Sequence, residues 1–98
     1  MRPEFHPAAA EELASVAVAY ERHAEGLGGD FRAEVQRVAT LLCDTPTIGE
    51  PLDSIHRRFP LTRFPFALIY RADPDALRII AVAHRRRRPG YWHGRTFS

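Results

Sequence analysis

"FPFALIYRADPDALRIIAVAH", residues 64–84, decides how this chain folds. Phe64, Phe66, Leu68 and Tyr70 fall on one face of an extended segment, with Ala67 and Ile69 on the other. A run that is apolar on both faces predicts a central strand. "ADPDA" (72–76) reads as a turn, with Pro74 presetting φ. "LRIIAVAH" (77–84) then reads as a second apolar strand, antiparallel to the first.

The rest of the chain arranges itself around this pair. "SIHRRFPL" (54–61) changes to a period near two and predicts a half-exposed strand, preceded by a loop over 47–53. Further upstream the period is helical. Pro7 suits a first helical turn, with Glu11 and Glu12 near its positive end. Ala10, Leu13, Ala14, Ala17, Tyr20 and Ala24 form an apolar stripe, and "GLGG" (26–29) ends the helix. Asp30 is the expected N-cap of a second helix whose stripe is Phe31, Val35, Val38 and Leu42; Pro46 stops it. "RPEFH" (2–6) contains Pro3, so as a strand it belongs at a sheet edge. The predicted order is β-α-α-β-β-β. This is one α+β domain over residues 1–98, with a helical hairpin packed on a small, mainly antiparallel sheet. The second face of the sheet is left for solvent or a partner.

Ninety-eight residues suffice for one domain and not for two. No apolar run reaches membrane-spanning length and no signal peptide is expected, which suits a cytoplasmic protein. Cys43 is the only cysteine and reads as a small core residue, so no internal disulfide forms. All fourteen basic residues are arginine, which excludes a lysine base. Residues 1–53 carry four arginines against ten acids, a net of −6. Residues 54–98 carry ten arginines against Asp73 and Asp75, a net of +8. The small total hides a basic half suited to an anionic partner.

That basic half culminates in "HRRRRPGYWHGR" (84–95). Arg85, Arg86, Arg87 and Arg88 form either a solvated tail or a strip that holds phosphates or carboxylates in guanidinium forks. Arg57, Arg58 and Arg63 add to the same candidate surface. Tyr91 and Trp92 cap the sheet edge, anchor an interface, or stack on a base. His6, His23, His56, His84 and His93 show no metal spacing, and no motif calls for a cofactor.

The chain resembles the RelE/ParE superfamily of bacterial type II toxins. The resemblance rests on "FHPAAAEELASVAVAYE" (5–21) and on Arg57-Arg58 with "RFPFALIYR" (63–71), across an insertion of Pro60, Leu61 and Thr62. It rests most specifically on "AVAHRRRRPGYW" (81–92), which looks like the ParE-like branch. The resemblance implies a toxin neutralised by a cognate antitoxin, whose acidic or amphipathic segment orders over it. It further implies that the pair touches operator DNA only through the antitoxin. ParE-like members poison DNA gyrase by binding; RelE-like members cut messenger RNA on the ribosome. Cutting needs a base, an acid and a cation for the developing charge. Arg85 and Tyr91 occupy two positions of the RNA-cutting pattern, and Arg58 matches a third. The next basic position falls near Pro60, and Ala67 stands where cutting relatives carry an arginine. With no lysine, the base falls to His56, His84 or Tyr91. The expectation is therefore a ParE-like gyrase inhibitor. The alternatives are a RelE-like ribosome-dependent endoribonuclease, with Arg85, Tyr91, His84 and Arg58 as its candidates, and a degenerate binding module.

Overall fold

A computed structural model describes residues 1–97. The chain runs β1 (Pro3–Phe5), α1 (Pro7–His23), α2 (Leu27–Asp44), a 3-10 turn (Pro46–Ile48), β2 (Glu50–Pro51), β3 (Arg57–Pro60), β4 (Phe66–Ala72) and β5 (Leu77–His84). The sheet order is β1-β5-β4-β3-β2. All pairs are antiparallel except β1 with β5, which join the two ends of the chain in parallel. Pro3 does lie on an edge strand, where its missing N–H costs nothing.

The two central strands hold the register together. Phe66 faces His84, Leu68 faces Val82, and Ala67 faces Ala83. Between Ile69 and Tyr70 the register shifts by one, leaving Ile80 as the extra residue of a bulge. The shift keeps Leu77, Ile79 and Val82 under the helices. It turns Ile80, Ala81 and Ala83 to the opposite face.

The helices pack where their stripes predict, with corrections of phase. The α2 stripe of Phe31, Val35, Val38 and Leu42 is buried as expected. In α1 Ala17 is buried as expected, but at the helix start the buried residue is Ala9 rather than Ala10, and Ala10 and Ala24 are exposed. Tyr20 joins Phe31, Phe64 and Phe66 in an aromatic cluster with ring centroids 5.0–6.3 Å apart. Full burial of Phe31 is worth about 1.5–3 kcal/mol.

Asp30 is not the N-cap of α2. The helix starts earlier, after Gly26 in a left-handed conformation (φ 84°). The Glu21 carboxylate of α1 accepts hydrogen bonds from the N–H of Gly26 and of Gly28 and so caps the next helix. A side chain at Gly28 would strike the Ala17 carbonyl, so glycine lets the two helices meet. Near the sheet's far edge, the Tyr70 hydroxyl donates to Pro46 O at 2.6 Å and accepts from Gly49 N at 2.9 Å. This pins the 3-10 turn and β2, where only a loop was expected. The 54–61 strand is confined to Arg57–Pro60, and the 64–71 strand begins at Phe66. The Pro60-Leu61-Thr62 insertion is well anchored. Leu61 is buried, and Thr62 N donates to the buried Glu34 carboxylate at 2.8 Å.

The second face of the sheet is not fully open. The segment after β5 folds back across it. Trp92 packs there with Ile69, Ile80, Ala81 and Ala83, and Tyr91 and Phe97 flank them.

Candidate partner-binding surface

A single carboxylate fixes this returning segment. Glu12 projects from α1 to the edge of β5 just beyond the point where β1 ends. It accepts from Val82 N (3.0 Å), the Tyr91 hydroxyl (2.8 Å) and both terminal nitrogens of Arg95 (2.9 and 2.8 Å). Arg95 also donates to Ile80 O at 3.0 Å. Glu12 and Arg95 thus satisfy edge groups of β5 that have no neighbouring strand. Burial pushes the Glu12 carboxyl up, but the bonds from Arg95, Tyr91 and Val82 outweigh it and hold it below the usual value. Burial, then the bond to Glu12 and its charge, push Tyr91 up to about 12.

A second set of contacts holds the other side. Asp53 accepts from the N–H of Ile55 and of His56 and from the His56 ring at 2.9 Å. Those bonds keep its carboxyl well below the usual range. The His56 ring lies 4.7 Å from that of Trp92, and His93 approaches the same carboxylate at 3.7 Å.

The sequence-predicted residues separate into two groups. Arg57 donates to the carbonyls of Thr47 and Gly49, and Arg63 pairs with Asp30 at 3.5 Å over the ring of Phe64. Tyr91 is committed to Glu12, with Arg87 over its ring at 4.1 Å. Trp92 is only 4% exposed and packs on the sheet's second face, which fits the capping reading among the three its sequence left open and sets it apart from the exposed arginines grouped with it as a partner surface. His84 accepts from Arg86 N through Nδ1 and sets its ring edge-on to Phe66. These groups build the surface. Arg58, Arg85, Arg86, Arg87 and Arg88 make no ion pair and no side-chain hydrogen bond among the described residues. Arg85 to Arg88 are exposed and Arg58 is half-buried. Arg58, Arg85, Arg87 and Arg88 line a cavity of about 470 Å³ floored by Ile69, Ala83 and Trp92.

Sequence reasoning missed Glu12 and Arg95. Their separation of 83 residues leaves no local pattern. The only signal was two charges in apolar surroundings: a glutamate beside the stripe of α1, and an arginine beyond the aromatic pair. No three His, Cys, Asp or Glu side chains are placed to hold a metal among the described residues.

An antiparallel meander under a helical hairpin is the α+β arrangement that the RelE/ParE resemblance implies, and the parallel first strand completes its sheet. The matching family model is described as "ParE toxin of type II toxin-antitoxin system, parDE", and it covers residues 4–89. The chain belongs to that family. Its structure is similar to one titled "Chromosomal ParDE TA system from P. aeruginosa", at 16% identity and a TM-score of 0.61. That match covers 86% of this chain and 95% of the other. No curated protein sequence matches the chain.

Proposed function

We propose that this ParE-family chain arrests growth by binding DNA gyrase, and that a cognate antitoxin neutralises it by covering the arginine surface. Action on gyrase places it in the cytoplasm; among the described residues no helix is long and apolar enough to cross a membrane. One observation carries the reading. Arg58, Arg85, Arg87 and Arg88 rim one cavity and make no ion pair among the described residues, while the Tyr91 hydroxyl is committed to Glu12. Unpaired arginines suit recognition of an anionic surface.

Cleavage chemistry finds less support. A hydroxyl pushed up to about 12 and already donating to Glu12 is a poor base. Ala67 is buried at the position where cutting relatives carry a cation. The test adds purified protein to gyrase with plasmid, and separately to programmed ribosomes. Loss of supercoiling with trapped DNA breaks is expected, and Arg85→Ala with Arg87→Ala should abolish it. Cleavage of messenger RNA with gyrase unaffected would replace this reading by the endoribonuclease one. Absence of growth arrest on expression would favour a degenerate module.

A further inference from the structure

We propose that the arginine surface grips the sugar-phosphate backbone of duplex DNA without reading its sequence, a direct contact beyond the one through an antitoxin that the resemblance implies. Two clefts carry the inference. The first, of about 470 Å³, is lined by Arg58, Arg85, Arg87 and Arg88. The second, of about 520 Å³, is lined by Arg58, Arg63 and Arg85. They share Arg58 and Arg85, so the five arginines form one band from the link between β3 and β4 to the turn after β5. Arg63 meets Asp30 only at 3.5 Å, with both side chains more than half exposed. A pair so open to water is worth little and yields to a phosphate. No acid lines the second cleft. The one acid of the first, Asp53, already accepts from Ile55 N, His56 N and the His56 ring. The turn itself is fixed by backbone donors. Arg85 N donates to Pro65 O and Arg87 N to His84 O, both at 2.9 Å, and Arg86 N donates to His84 Nδ1 at 3.0 Å. A turn held in this way loses less freedom on binding than a free tail.

Three features favour a duplex backbone over bases. Single strands are gripped by stacking bases on open aromatic faces. Here Trp92 and Phe64 are buried, and Tyr91 lies under Arg87 and Arg95 at 4.1 and 5.0 Å. Neither cleft has a helix residue in its lining, so no helix is available there to enter a groove. The chain has no asparagine, and its single glutamine, Gln36, lies on α2, so the amide side chains that read adenine are absent from the band. What remains is guanidinium against phosphate.

The inference rests on the gyrase reading only for where this DNA is met, and its test needs no gyrase. Labelled duplexes of two unrelated sequences, and a single strand of the same length, are titrated with the protein by fluorescence anisotropy. Both duplexes should bind equally, and log affinity should fall against log salt with a slope of about −4. Arg58→Gln with Arg85→Gln takes the shared cations from both clefts and should flatten that slope by about two units. Arg22→Gln, on the exposed side of α1, should leave the slope unchanged, which separates the band from net charge. Unchanged Trp92 emission shows that each variant keeps the fold. Should the Arg58 variant lose it, Arg87→Gln with Arg88→Gln tests the same band. No duplex binding, tighter binding of the single strand, or an unchanged slope in the double variant overturns the proposal. Inhibition of supercoiling without duplex binding removes this inference and leaves the gyrase reading intact. Duplex binding without inhibition does the reverse.

Discussion

Glu12 is a surface-helix carboxylate that four donors have turned into a structural centre. Its removal leaves Val82 N without an acceptor and Arg95 with only the Ile80 carbonyl. Glu12→Ala should cost about 2–3 kcal/mol in urea denaturation, more than an exposed ion pair is worth. Tyr91→Phe loses one bond and should cost about 1 kcal/mol while keeping growth arrest, since its proposed part is to hold the segment. The pH dependence follows from the same pair. Glu12 lies below its ordinary 4.5 in the fold. Its stabilisation is therefore present above that value and is lost as pH falls through the lowered one. Tyr91 moves from 10.0 to about 12. Its contribution is complete below pH 10 and is lost as pH rises towards 12. Unfolding midpoints measured across both windows, with Glu12→Gln flattening the acid limb, check this.

At the scale of elements, the sheet pair and the α2 stripe were legible because their apolar periods are long and unbroken. Phe31, Val35, Val38 and Leu42 needed only helical spacing, and Leu68 and Tyr70 only alternation. The start of α2 was not legible. Its cap comes from Glu21 on the preceding helix, and the glycine-rich link looked like a stop when it also begins the next helix. The bulge at Ile80 was equally hidden, since "RIIAVA" reads as uniform strand. Of the candidate site, the arginine strip was legible from composition. The burial of Trp92 was not, because an aromatic pair beyond a strand gives no sign of which way the chain turns. Gly28→Ala tests the helix junction. The added methyl meets the Ala17 carbonyl, part of the backbone, and should destabilise by at least about 2 kcal/mol in thermal or urea melts.

For the whole molecule, the net of −6 before residue 54 and +8 after it becomes a division of surface. The Glu12 and Glu34 carboxylates are drawn into the fold, and Arg85 to Arg88 stay exposed without an ion pair among the described residues. Binding to an anionic partner should weaken steadily between low and physiological salt, because exposed charges are screened over about 8–10 Å. Titration calorimetry at two ionic strengths checks this, and a salt-independent affinity would point to the apolar cavity alone. The parallel pairing of Pro3 with Leu77 has a separate consequence for biogenesis. β5 receives β1, α1 and β4 together, so the last strand made is the hub of the sheet. The helical hairpin can form from local contacts while synthesis continues, but the sheet cannot close before β5 exists. Until then the faces of α1 and β4 that meet β5 stay uncovered, which exposes the nascent chain to aggregation during synthesis.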